Sequence, residues 1–111
     1  MSILKIITYS TSTNKEPFAE WHDDLEIKTQ AIILTRLSRI TLGNFGDCKL
    51  LKNAGGVWEL RIDNGPGYRV YFGKEQSTIV VLLIGGEKKS QLRDIAKAKR
   101  YWLDYKESQD E

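Results

Sequence analysis

Four side chains in the stretch Gly55–Gly73, GGVWELRIDNGPGYRVYFG, have types and spacing that suit work on a charged oxygen ligand: Glu59, Arg61, Arg69 and Tyr71. An arginine fork bonds two phosphate oxygens at once and keeps its charge, whereas a carboxylate or a phenol can take part in moving protons. The stretch reads as a β-hairpin, with β-formers at Val57–Ile62 and Tyr68–Phe72 flanking the turn-rich Asp63-Asn64-Gly65-Pro66-Gly67. Side chains alternate along a strand, so Val57, Glu59, Arg61 and Asp63 share one face while Trp58, Leu60 and Ile62 take the other. Tyr68, Val70 and Phe72 complete that second, apolar face, which leaves Arg69 and Tyr71 beside Glu59 and Arg61. The expectation is a hairpin that holds the core on one side and offers two arginines, a glutamate and a tyrosine to solvent on the other. From the residues alone the favoured role of Arg61 is structural, paired with Glu59 or Asp63 across an exposed sheet.

The rest of the chain narrows the chemistry. Its 111 residues suit one domain, expected over 1–106 with an acidic tail at 107–111, and 41% hydrophobic with 29% charged residues is ordinary for a globular protein. The longest apolar run, Ile79–Ile84, is far too short to span a bilayer, and Met1–Tyr9 lacks the pattern of a signal peptide. A cytosolic protein without a membrane partner is expected. Cys48 and His22 are each the only residue of their type, which excludes an internal disulfide, a multi-cysteine zinc site and a two-histidine metal site within one chain. No metal or cofactor is expected.

Positive charge gathers late in the chain. Residues 84–106 hold seven basic side chains (Lys88, Lys89, Arg93, Lys97, Lys99, Arg100, Lys106) against three acidic ones (Glu87, Asp94, Asp104). Such a cluster suits RNA, DNA or an acidic protein, and equally a solvated helix face.

The elements that must position these groups follow from periodicity. Ile3–Tyr9 reads as a strand. A first helix starts with Asn14 as N-cap and carries the stripe Phe18, Trp21 and Leu25, which leaves His22 on its charged, outer side. A second runs from about Glu26 to Leu42, with Ala31, Ile33, Leu34, Leu37 and Ile40 inward and Gly43 as its stop. Cys48–Lys52 is a short strand before the hairpin, and Thr78–Ile84, apolar on both sides, belongs in the middle of a sheet. Ser90 caps a last helix, Gln91 to about Lys106, whose predicted inner stripe is Leu92, Ile95, Ala96, Lys99, Trp102 and Leu103. All three tryptophans are expected to pack inward. The order summarises as β-α-α-β-β-β-α, an α+β domain with an antiparallel meander packed against helices.

This order, together with WELRI-x-x-GPGYRVYF at Trp58–Phe72 and IGGEKKSQLRDI at Ile84–Ile95, resembles the RelE/ParE toxins, and among them the HigB-like addiction-module killer proteins. The resemblance spans nearly the whole chain. It implies the toxin of a type II toxin–antitoxin system, neutralised by an antitoxin of helix-turn-helix type. RelE-type members are ribosome-dependent, metal-independent mRNA endoribonucleases that cleave by attack of the ribose 2′-OH and so inhibit translation. ParE-type members share the fold and poison DNA gyrase without enzymatic activity, and an inactive relative that only binds its antitoxin is the third alternative.

Residue by residue, the resemblance carries phosphate and transition-state contact to Arg69, in Gly-Tyr-Arg, and a matching basic role to Arg61 on the preceding strand. Lys88 falls near a further basic residue of the family, and Lys89, Gln91 and Arg93 join it as candidate substrate contacts. Arg93 stands where RelE has a tyrosine, and the histidine pair of other HigB-type enzymes is missing, so the resemblance assigns no proton carrier. Glu59 and Tyr71 are candidates by geometry, with Tyr71 also placed to stack on a nucleobase. Lys97 and Arg100 read as a solvated face that also steers ribosomal RNA.

Overall fold

The computed structural model describes residues 3–109. The elements are β1 (Lys5–Thr8), α1 (Pro17–Asp23), α2 (Ile27–Thr41), β2 (Cys48–Leu50), β3 (Trp58–Ile62), β4 (Tyr68–Glu75), β5 (Ile79–Glu87), a 3-10 turn at Lys88–Ser90, and α3 (Gln91–Gln109). Four strands follow the helical pair: the short strand expected from Cys48 is present and pairs with β3, so the summary order β-α-α-β-β-β-α is one strand short. The strand order is β1-β5-β4-β3-β2. β2 to β5 form the expected antiparallel meander, whereas β1 runs parallel to β5 and makes the sheet mixed. β5 is internal, as its two-sided apolar run predicted.

Both faces of the sheet are covered. Leu60, Ile62, Tyr68, Val70, Phe72, Val80 and Leu82 pack on one side against Phe18 of α1 and Ile33, Leu37 and Ile40 of α2. Val57, Tyr71, Val81 and Leu83 pack on the other against Ala98 and Trp102 of α3. A register shift between Tyr71 and Phe72 leaves Leu83 unpaired in the β4–β5 ladder, and Leu83 and Ile84 both join the α3 side. A bulge of this kind breaks strict alternation and adds twist.

Several local expectations are corrected. Asn14 takes a left-handed turn (φ 64°) rather than capping α1, whose entry residue is Glu16. His22 is buried, not outward, with its ring stacked 5.6 Å from that of Phe18. Ala31 and Leu34 of α2 face solvent. Gly43 does end α2, at φ 87°, donating to Ile40 O while Asn44 N donates to Arg39 O, the paired bonds of a Schellman ending. The stripe of α3 is rotated from the predicted one. Asp94, Ala98 and Trp102 are buried with Ile95, Tyr101 and Tyr105 half-buried, while Leu92 is 85% exposed and Leu103 55%. α3 also runs past Lys106 to Gln109, and the end of the predicted acidic tail, Asp110 and Glu111, lies outside the described residues.

Two phenol–carboxylate bonds pin α3 in this rotation: Tyr9 donates to Asp104 at 2.6 Å and Tyr105 to Glu75 at 3.2 Å. The close approach of helix to sheet depends on missing side chains. A Cβ on Gly73 would lie 2.5 Å from ring carbons of Trp102, inside the contact distance of carbon atoms. Gly73→Ala therefore overpacks this seam and should destabilise the fold by about 1–3 kcal/mol, read as a lower thermal midpoint by circular dichroism with the native spectrum retained at low temperature.

Candidate functional site

The predicted site residues divide by the way the hairpin is covered. Glu59 pairs with Tyr71 and Arg61 with Arg69 across β3 and β4, so the four share one face as the alternation implied. That face is not open to solvent. The N-terminal half of α3 lies over it, and Glu59 and Tyr71 are 0% exposed and Arg69 5%. Tyr71 thus has no free ring face on which a nucleobase could stack.

Arg69 lies at the centre. Its Cα partners are Arg61 on one side and Gly86 on the other. The preceding Gly67 adopts φ 80°, and its carbonyl accepts from Lys88 N at 2.8 Å, which ties the hairpin turn to the start of the 3-10 turn. A Cβ at Gly67 would stand 3.6 Å from Arg69 Nη1 and 3.5 Å from Lys88 Cβ, so this turn lies close over the guanidinium. Nη1 donates to the Tyr68 carbonyl at 3.1 Å, and Nε is buried without an acceptor. Among the described residues Arg69 makes no ion pair. A buried guanidinium with an unfilled donor is costly unless something completes it, and a phosphate or carboxylate oxygen is the natural partner.

Arg61 behaves differently. Its side chain leaves the sheet for the loop before β2, where Nη2 meets Asp47 Oδ1 at 3.1 Å, with both side chains nearly half exposed. Asp47, not Glu59 or Asp63, is its partner. The loop carrying Asp47 is held by Lys74, whose Nζ lies 4.0 Å from the Phe45 ring centre and 3.9 Å from that of Trp58.

Around Arg69 is a chain of polar contacts. Gln91 Nε2 donates to Glu59 Oε2 at 2.7 Å, while Glu59 Oε1 and the Tyr71 hydroxyl are buried without partners. Ser90, expected as the cap of α3, instead donates through Oγ to Asp94 Oδ2 at 2.5 Å, with the Glu87 carbonyl oxygen 3.2 Å away as an alternative acceptor for the same proton. Burial first, then the negative charges of Glu59 and Asp94 and the approach of the Glu59 carboxylate to the hydroxyl, raise the Tyr71 phenol well above its ordinary value, with Arg69 opposing. Lys88, Lys89, Gln91 and Arg93 line one open cleft of about 650 Å³ on this flank. The structure therefore groups Arg69, Glu59, Tyr71 and Gln91, with Lys88 close by over Gly67, while Lys89 and Arg93 join Lys88 and Gln91 along the neighbouring cleft and Arg61 is set slightly apart.

Asp94, Ser90 and Asp47 were missed. The Ser90–Asp94 spacing of four residues on a helix, behind a glycine pair, is the one signal that could have marked the buried pair. Among the described residues no group of histidine, cysteine or carboxylate side chains is placed to hold a metal ion, and no helix is long and apolar enough to cross a membrane.

The chain is a small α+β protein, a five-stranded mixed sheet between two helical layers, with a buried and incompletely bonded arginine on an internal strand. Residues 20–102 match the family described as phage derived protein Gp49-like (DUF891), and the chain belongs to that family. Membership of this family points to the toxin of a toxin–antitoxin pair and to an antitoxin as its partner. The chain is also 43% identical over 83 residues to an uncharacterized protein of Haemophilus influenzae, covering 74% of this chain and 82% of that one.

The tyrosine gives a test of the buried cluster. The fold favours the neutral phenol, so the native state holds that proton more tightly than the unfolded chain, whose value is near 10. Stability from this group is complete below pH ~10 and is lost as pH climbs toward the raised native value. Tyr71→Phe should leave stability at pH 7 within about 1 kcal/mol, since the hydroxyl it removes faces the Glu59 carboxylate without meeting full hydrogen-bond geometry. It should also make the alkaline loss of stability shallower in urea unfolding at stepped pH, with Tyr9 and Tyr105, whose values are also raised, supplying the remainder.

Proposed function

We propose that the protein is a toxin–antitoxin toxin that acts as a ribosome-dependent mRNA endoribonuclease needing no metal. The observation that carries the reading is Arg69: a guanidinium 5% exposed, fixed on an internal strand, with a buried Nε that no protein group completes. Electrostatic groups held in place before the reaction stabilise developing charge most effectively, because little reorganisation is then required.

In this mechanism the ribose 2′-oxygen attacks the adjacent phosphorus and the bond to the 5′-oxygen breaks, leaving a 2′,3′-cyclic phosphate and a 5′-hydroxyl. The 2′-OH proton leaves to a base and the departing 5′-oxygen gains one. Arg69 holds the non-bridging oxygens as negative charge grows on them. Lys88, on the rim over Gly67, stands beside it as a further cation, and Lys89 and Arg93 draw the RNA backbone into the cleft. Arg61, tethered by Asp47, contributes a second positive field one strand away. Glu59 is fully buried under Gln91 and works through it: the bond from Nε2 leaves the Gln91 amide oxygen free to accept from a ribose or base donor. Tyr71 supports Glu59 from below and does not touch RNA.

Induced expression should arrest growth with mRNA cut within translated codons. Arg69→Ala should lower cleavage by roughly 10²–10³-fold and relieve the arrest. Arg69→Lys should recover only part of the activity, since a point charge replaces a planar fork. Primer extension on induced messages reads both. Growth arrest with intact mRNA and linearised plasmid would refute the nuclease and favour a gyrase poison.

A further inference from the structure

A second cleft, of about 330 Å³, opens at the end of β5, around the edge of the sheet from Arg69. The parallel pairing of β1 with β5 stops at Leu82, so β5 outruns its neighbour and Ile84–Glu87 line the cleft. Gly85 and Gly86 offer no side chains there, and a glycine pair lets another molecule approach the strand backbone closely. Trp21 of α1 forms one wall. Its six-membered ring lies directly over Gly85, where any Cβ would collide with it, and the indole is only half-buried. Lys89, Arg93 and Lys97 form the opposite wall with Asp94.

The charges on that wall are not explained by the fold. Arg93 and Lys97 lie one helical turn apart on α3, where like charges repel. Among the described residues neither makes an ion pair. Asp94 is engaged by Ser90, and Lys89 reaches only Glu87, at 3.6 Å. A half-buried indole, tilted against Phe18 and Tyr68 on its inner side, opposite two unpaired cations and the paired Lys89 over a glycine floor, matches what single-stranded nucleic acid requires: a π-surface for one base and positive charge for its phosphates. The position fits as well. Gly86 is the Cα partner of Arg69, so the floor lies one strand spacing, roughly 5 Å, from the strand that carries the arginine.

We infer that this cleft is a nucleotide subsite, in which a base of single-stranded RNA next to the phosphate at Arg69 stacks on Trp21 while Lys89, Arg93 and Lys97 hold the backbone. The subsite rests on the reading of Arg69 as a phosphate contact, and it adds α1 to a site otherwise made from the hairpin and α3. Trp21 then has two roles, sealing Gly85 with one part of its ring and presenting another part to a base.

The test is binding of a fluorescein-labelled, fully 2′-O-methylated oligoribonucleotide, which lacks the nucleophile and cannot be cut, followed by anisotropy over a salt series. Trp21→Leu should weaken binding roughly 5- to 100-fold and leave the salt slope unchanged. Lys97→Ala, at a surface position that does not endanger folding, should weaken binding and reduce the slope of log K against log salt by about 0.7, one phosphate of a single strand. The subsite is overturned if the wild-type protein does not bind this RNA at low salt. It is also overturned if folded Trp21→Leu and Lys97→Ala both bind with wild-type affinity and slope. Cleft-dependent binding by a protein that leaves translated mRNA intact would uphold the subsite and remove the nuclease reading alone, whereas cleavage with both variants binding normally would remove the subsite alone.

Discussion

The packing of α3 across β3, β4 and β5 is the constraint from which the other features of the site follow. One face of the sheet already belongs to α1 and α2, through Phe18, Ile33, Leu37 and Ile40. Once Trp102 and Ala98 seat α3 on the second face, Glu59 and Tyr71 lose contact with bulk water and Arg69 nearly so, and only Arg61 escapes to the loop before β2. Glu59 is met by Gln91 and Asp94 by Ser90, yet Arg69 Nε, Glu59 Oε1 and the Tyr71 hydroxyl are left incomplete. Each such group costs about 1–3 kcal/mol relative to a bonded one. Three of them gathered at one end of a single face form a local conflict of the kind natural proteins keep where function requires it.

Glycine determines how near the layers come. Gly73 admits Trp102, Gly85 admits Trp21, and Gly86 admits the Ser90–Asp94 pair, so three successive contacts between helix and sheet rest on absent side chains. The bulge at Leu83 contributes by turning Leu83 and Ile84 together toward α3, after which Gly85 and Gly86 fall under different helices. Fold and site therefore share the same contacts. The seat that holds α3 down also brings its basic first turns beside Arg69, and the early end of β1 keeps that corner of the sheet uncovered.

Much of the architecture was legible because it depends on local pattern. The five strand segments, the helical pair, the internal position of β5 and the ending of α2 at Gly43 follow from β-propensity, helical spacing and the backbone freedom of glycine. The two faces of the hairpin strands were divided as alternation implied, whereas the basic residues after β5 separate: Lys88, Lys89 and Arg93 line one cleft and Lys99, Arg100 and Lys106 another. Ile95 and Trp102 do face inward, but the rotation of α3 about them was not legible, since Leu92 and Leu103 complete as good an apolar stripe on paper as Ala98 and Tyr105. Choosing between them requires the shape of the groove over Gly73 and the bonds from Tyr9 and Tyr105. His22 was misplaced for a similar reason: its neighbours in sequence are acidic, but Phe18 and α2 enclose it.

The stretch Gly55–Gly73 marks the boundary between the two kinds of information. By itself the sequence determined that Glu59, Arg61, Arg69 and Tyr71 share a face, because alternation is a property of any extended strand. Only the tertiary structure decided that this face is covered, that Arg61 turns outward to Asp47 and that Arg69 stays beneath the turn with a donor unfilled. Alternation distinguishes two sides of a strand. It carries no information about what is packed against either side, which is decided by long-range contacts between elements far apart in the chain.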